Sequence, residues 1–280
     1  MRETMRPVSL RRVVETAYFG EKSKIFTSQD LAEFLSSSER RAKEVADEMV
    51  NIGLLTQSEV NYSATPKCIK FLGYVRNNEW KNVHELMMDY SFYQVFFNNL
   101  LSIEPATPDE ILASLLKSAL PFNQTSRDVL CDWGERIGSI QRNIFSNQYF
   151  AIYMRDQKFT PVFLEIYRSL NVKSGLSLRQ RYVEIPKVRE FLCQQMRISR
   201  DDFDTKFVEM CMKNIGKIEL SGAPVTTHAK KSAKKVKNVH FLEVSDKITM
   251  KLSSNQFLNG VTIGQKAYYY VAYHGGELND

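Results

Sequence analysis

The amino-acid sequence predicts a mainly α chain with small β-hairpins (α+β), assembled from one helical unit used more than once. Three observations carry this. A short signature occurs three times, as Asn51-Ile52-Gly53-Leu54-Leu55, Arg136-Ile137-Gly138-Ser139-Ile140 and Asn214-Ile215-Gly216-Lys217-Ile218, with starts 85 and 78 residues apart. Each copy ends a helical apolar pattern that opened on a Ser/Thr cluster, and a strand-like stretch follows each. Thr65-Pro66, Thr107-Pro108 and Thr160-Pro161 repeat one helix-start device, with Thr as N-cap and Pro at the first helical position, where no amide donor is needed.

The first unit is expected over residues 1–78. A helix spans Val8–Tyr18, and Lys24-Ile25-Phe26 forms a short strand. Thr27 caps the next helix, with Asp30 as the acidic half of a capping box and Leu31, Phe34 and Leu35 as the apolar stripe. Ser36-Ser37-Ser38 breaks that helix and caps another, where Ala42, Val45, Met49 and Ile52 recur at helical spacing. Gly53 closes it with a left-handed residue that a β-carbon would penalise. Leu54–Gln57 and Val60–Ser63 then read as two short strands. Residues 79–106 follow as a connecting helix over Trp80–Leu101, dense in aromatic residues and apolar on more than one face, so buried on more than one side.

The second unit, residues 107–156, has a helix over Asp109–Leu120 with Ile111, Leu112, Leu115 and Leu116 as its stripe. A turn at Pro121–Gln124 leads to a helix starting near Thr125 or Ser126, which buries Val129, Leu130, Trp133 and Ile137. Ile140–Ile144 and Tyr149–Tyr153 would form its hairpin. The third unit, residues 157–280, opens at Thr160-Pro161. Arg181–Ile185 is a strand, Pro186 starts a helix, and Ser199 caps the next. Ile218–Pro224 enters a long hairpin whose return strand is His240–Val244. Asn259-Gly260, the strongest hairpin dipeptide here, is expected to join Ile248–Leu252 to Ala267–Ala272.

Helix, strand, helix, tight turn, helix and two-stranded hairpin is the order of a winged helix-turn-helix domain. Residues 25–63 resemble that superfamily through Leu31-Ala32-Glu33-Phe34-Leu35, Ser38-Glu39-Arg40-Arg41-Ala42 and Ile52-Gly53-Leu54-Leu55, and residues 159–244 resemble it as well. The resemblance implies a tandem array of winged helix-turn-helix units joined by helices. It also implies that the helix after the tight turn would enter the DNA major groove, with its N-terminal residues facing base edges.

In the first unit that position holds Ser37, Ser38, Arg40, Arg41 and Lys43. Serine and lysine suit phosphate, and arginine suits phosphate or guanine O6/N7. Glu44, Asp47 and Glu48 further along fit a solvated face and would repel phosphate, so only the first turn can approach DNA closely. In the second unit Arg127 and Arg136 are outnumbered by Asp128, Asp132 and Glu135. In the third, Asp201, Asp202 and Asp204 crowd the first turns. The hairpin of the third unit is the opposite: Lys230, Lys231, Lys234, Lys235 and Lys237 fall between Gly222 and Val239 with no acidic residue. The formal net charge is +6, so this one segment accounts for most of the excess. Arg2, Arg6, Arg11 and Arg12 form a second basic cluster, and Arg179 and Arg181 a third.

Enzyme signatures are missing. No phosphate-binding glycine loop, dinucleotide fingerprint, zinc-protease helix or nucleophile elbow occurs. His84, His228, His240 and His274 lie far apart. Cys68, Cys131, Cys193 and Cys211 contain no C-x-x-C pair and read as reduced, buried thiols of a cytoplasmic protein. No cofactor or metal is expected. No run of roughly 18 apolar residues could span a membrane, and Met1–Pro7 lacks the apolar region of a signal peptide. The expectation is a non-enzymatic protein that binds double-stranded DNA, as a transcription regulator or a DNA-engaging component of a larger system. The alternative is an assembly subunit that binds a protein partner, or a second copy of itself, through its second unit or the 80–101 helix.

Overall fold

The computed structural model describes residues 4–153, 155–173, 182–222, 239–240, 251–252 and 257–279. They divide into two compact units, one with residues 4–142 and 148–151 and the other with the remaining described residues. Both are mainly helical with small antiparallel strand pairs.

The first unit begins with α1 (Leu10–Ser23), β1 (Ile25–Thr27), α2 (Ser28–Leu35), α3 (Glu39–Ile52), β2 (Leu55–Ser58), β3 (Asn61–Ala64) and α4 (Pro66–Arg76). The expected capping box forms: the Thr27 side chain accepts from the Asp30 N–H at 3.3 Å, and Asp30 accepts from the Thr27 N–H at 2.7 Å. Asp30 is held below the usual carboxylate range by the hydrogen bonds it accepts from the Thr27 N–H and the Thr27 hydroxyl. Ser36 then takes a left-handed conformation (φ 48°), and the Ser37 N–H closes on the Ala32 carbonyl at 3.0 Å. Ser38 caps α3 by accepting from the Arg41 N–H. Ala42, Val45, Met49 and Ile52 are all buried, as their spacing predicts. Phe34 differs: it stays 50% exposed and stacks on Phe19 with ring centroids 4.7 Å apart. Helix α3 leaves through Gly53 (φ 83°), where the Leu54 N–H reaches back to the Met49 carbonyl at 2.9 Å. The three strands pair in the order β1-β3-β2.

The expected continuous helix over residues 80–101 is instead two, α5 (Trp80–Met87) and α6 (Ser91–Ile103). The break falls at Met88–Tyr90. Asp89 pairs there with Lys67 at 3.0 Å, and Tyr90 adopts an extended conformation that buries its ring. Next come α7 (Pro108–Leu115), α8 (Gln124–Ile137), β4 (Ile140–Asn143) and β5 (Gln148–Ala151). Helix α7 is shorter than its pattern suggested, ending before Leu116, which is 62% exposed. Helix α8 is capped by Asn123 and starts at Gln124, one to two residues ahead of the expected start. It exits through Gly138 (φ 78°), with the Ser139 N–H bonded to the Gly134 carbonyl at 3.0 Å, the same closure as at Gly53. Strand β5 pairs with β4, and Tyr149 within it exchanges two backbone hydrogen bonds with Ala106, at 3.0 and 2.7 Å. One buried cluster runs from Val8 and Leu10 through Phe71, Tyr93 and Phe96 to Trp133 and Tyr149. The helices read as a connector therefore help to build the core of this unit.

The second unit contains α9 (Phe159–Lys173), β6 (Tyr182–Glu184), α10 (Ile185–Met196), α11 (Arg200–Lys213) and β7 (Ile218–Ser221). After these come β8 (Val239–His240), β9 (Lys251–Leu252), β10 (Val261–Ile263), β11 (Lys266–Tyr268) and β12 (Tyr270–Tyr273). Thr160 is not the cap of α9, which already starts at Phe159. The α10–α11 turn repeats the α2–α3 turn residue for residue. Arg197 is left-handed (φ 60°), the Ile198 N–H returns to the Cys193 carbonyl at 3.3 Å, and Ser199 caps with Asp202 in a capping box. Gly216 (φ 87°) lies beyond the end of α11, in the turn that leads to β7.

Two strand pairings differ from expectation. The strand that returns to β7 is β12, giving the order β6-β12-β7; of the expected return strand His240–Val244, residues 241–244 lie outside the described residues, and Val239–His240 pairs with Lys251–Leu252. Asn259-Gly260 does not turn a hairpin. Both carbonyls accept from the Arg189 guanidinium, at 2.8 and 3.0 Å, and the local hairpin is β10–β11, one turn later. A buried arginine with five donors demands acceptors, and this demand outweighs the local turn preference.

Candidate nucleic-acid interface

The α2–α3 turn sets which side chains of α3 reach solvent. With Ser36 left-handed and Ser38 as N-cap, the buried stripe 42-45-49-52 faces the core. Arg40 and Lys43 point the opposite way: both are exposed, and the Arg40 side chain is 90% so. Ser38 is exposed, with its hydroxyl engaged as the cap, and Ser37 is half-buried with its hydroxyl 3.5 Å from the Ser38 carbonyl. The free amides of the first turn and its helix dipole add to the local positive field.

Arg41 is placed differently from Arg40. Its guanidinium donates to the Pro7 carbonyl at 2.6 Å and to Glu44 at 3.0 Å. Glu44 also lies 3.7 Å from Arg6 and 3.7 Å from Arg40. Glu48 departs furthest from the solvated face that the sequence suggested. It is fully buried, accepting from the Arg6 N–H at 3.0 Å, from the Asn51 side chain at 3.3 Å and from the Tyr90 hydroxyl. Asp47 accepts from the Tyr62 hydroxyl at 3.0 Å. So neither Glu48 nor Asp47 is a bare surface carboxylate. Residues 41, 44 and 48 form one stripe along α3, and Arg6 and Pro7 lie along it. Sequence reasoning missed this stripe. Its one visible signal was a row of polar residues at helical spacing on a second face of α3.

The β2–β3 connection has no lysine or arginine. It carries Glu59 in a left-handed conformation (φ 56°) and Val60, 70% exposed. Lys230, Lys231, Lys234, Lys235 and Lys237, and also Arg179 and Arg181, lie outside the described residues. Of the predicted site residues, the structure thus brings together Ser37, Ser38, Arg40, Arg41 and Lys43 at one helix start. On the corresponding helix of the second unit, Asp201, Asp202, Glu209 and Met212 are exposed.

All four cysteines are buried and free, and burial raises the thiols of Cys68, Cys131 and Cys211, which disfavours the reactive thiolate. His84 is lowered by burial and shares a 3.0 Å contact with the Tyr93 hydroxyl. Among the described residues no group of three or more His, Cys, Asp or Glu side chains is placed to hold a metal ion. None of their helices is long and apolar enough to cross a membrane. Protein-family models, curated proteins and solved structures give no match to this chain.

Proposed function

We propose that this chain binds double-stranded DNA through tandem winged-helix modules and acts as a regulator or as the DNA-engaging part of a larger assembly. On this reading each module follows one plan: a short strand or bridge, two helices, then two antiparallel strands of which the second pairs back to the first. The orders β1-β3-β2 and β6-β12-β7 and the Ala106–Tyr149 bridge beside β4–β5 support this reading. The observation that carries it is the first turn of α3. It presents Arg40 and Lys43 outward, next to unsatisfied helix amides, on the helix that such modules place in the major groove. The lysine segment 230–237, which lies outside the described residues, would add phosphate contacts.

The test is a titration of a labelled 30-bp duplex across salt concentrations. Neutralising about five phosphates with the lysine segment gives a log–log slope contribution of about −4 to −5. Replacing the five lysines with glutamate is expected to flatten the slope by that amount, and an unchanged slope would remove the segment from the interface.

A second reading, a protein-binding subunit, is favoured by the exposed face of α11. It combines Asp201, Asp202 and Glu209 with Met212, 56% exposed, and is followed by Ile215, 78% exposed. Such a face repels phosphate and leaves apolar surface in water. Absence of duplex binding at low salt would favour this second reading.

A further inference from the structure

We propose that Arg41 and Glu44 are positioning residues of the α3 interface. On this assignment they hold residues 5–8 along the helix, which leaves Arg40 and Lys43 as the cations that meet phosphate. The inference rests on the DNA-binding reading for its second half only.

The segment Met5–Val8 is fixed at each residue. Met5 and Val8 are 7% and 0% exposed. The Arg6 N–H donates to the buried Glu48, the Pro7 carbonyl accepts from Arg41, and the Val8 carbonyl accepts from the Trp133 indole N–H at 2.9 Å. Arg41 therefore uses one guanidinium nitrogen on the segment and another on Glu44, and Glu44 faces Arg6 from the same side. A guanidinium forked between a carbonyl and a carboxylate keeps its charge but is directionally fixed by the two hydrogen bonds. Leaving that fork for a phosphate would break both hydrogen bonds. Arg40, by contrast, makes a single long contact at 3.7 Å with a 90% exposed side chain, so a phosphate can replace that contact at little loss. Position 40 thus contacts and position 41 positions, although the two residues are identical and adjacent.

Two measurements on the full chain test this: the salt slope of duplex binding, and hydrogen exchange of the segment's Arg6 and Val8 backbone N–H groups. Arg40→Gln is expected to shallow the slope by about 1 and to leave exchange of the segment unchanged. Arg41→Gln and Glu44→Gln are expected to speed exchange in the segment at least tenfold, with Arg41→Gln moving the slope by less than about half a unit. Arg41→Lys keeps the charge but cannot fork, and is expected to speed exchange as Arg41→Gln does. If Arg41→Gln shallows the slope as much as Arg40→Gln, Arg41 is a contact residue and the assignment is wrong. Unchanged exchange in both Arg41 variants and in Glu44→Gln would equally overturn it. Should the unaltered chain fail to bind duplex, the DNA-binding reading falls by itself. Faster exchange in the variants would then still support the holding role, and unchanged exchange would refute it.

Discussion

Removing the Tyr90 hydroxyl is expected to destabilise the first unit by about 1.5–3 kcal/mol, the range for a hydrogen bond to a charged group. Tyr90 is 4% exposed and donates to Glu48, which is fully buried. Burial first, and then the neighbouring Glu48, push the phenol far above its ordinary range, so it remains a donor at any working pH. The only tryptophans, Trp80 and Trp133, both lie in this unit, so tryptophan fluorescence follows its unfolding alone. With a urea m-value of about 2 kcal/mol/M, Tyr90→Phe should lower the midpoint by about 1 M. Glu48→Gln keeps the side-chain volume and removes the charge. In that background Tyr90→Phe should cost only about 0.5–1.5 kcal/mol, as for a neutral hydrogen bond, leaving a coupling of about 1 kcal/mol in the double-mutant cycle. If the cost is below about 0.5 kcal/mol, or equal in both backgrounds, the buried carboxylate does not hold Tyr90 through its charge.

Gly134 within α8 and Gly138 at its C-cap separate steric from conformational cost. A β-carbon at Gly138 meets nothing within 4 Å, so Gly138→Ala should cost only the left-handed penalty, about 1 kcal/mol, and Gly138→Asn less, by the same urea titration. At Gly134 a β-carbon would sit 2.8 Å from two carbons of Ile140, which is 1% exposed. Gly134→Ala should therefore cost about 1–3 kcal/mol, and adding Ile140→Val should recover part of it. His84 gives a pH dependence. Burial lowers its pKa, so below about 6.5 the unfolded chain takes up the proton first. Stability is then full above that pH and falls as pH drops towards the folded pKa. Midpoints from pH 7.5 to 5.5 should show a steeper loss in the unaltered chain than in His84→Gln, and equal slopes would refute the assignment.

Local chemistry made the helix starts legible. Thr27 with Asp30, Ser38, Thr65-Pro66, Thr107-Pro108 and Ser199 cap where expected, because a cap needs only its own residue and the next three. The α3 stripe and the Gly53 and Gly138 exits were legible for the same reason. Strand pairing in the second unit was not. Whether the strand at Val239–His240 or the one at Tyr270–Tyr273 returns to Ile218–Ser221 is decided by packing across the sheet, which strand propensity does not report. Nor could Asn259-Gly260 reveal that Arg189, some 70 residues earlier, would take its carbonyls. At the candidate site, residue type selected Arg40 and Lys43, but it could not separate Arg40 from Arg41. That distinction depends on Pro7, 34 positions away.

The same division explains how one backbone plan can carry unlike surfaces. The turns at Ser36–Ser38 and Arg197–Ser199 share a left-handed residue, a return hydrogen bond and a serine cap, so both orient the following helix alike. None of those features constrains the outward positions. Those hold Glu39, Arg40 and Lys43 on α3, but Asp201, Asp202, Glu209 and Lys213 on α11. On the proposed reading, the backbone repeat would set where a partner is met, and the charge on each exposed face which partner is accepted. On that ground α3 and α11 should not share a ligand. A duplex that protects the first turn of α3 from exchange should leave the first turn of α11 unprotected.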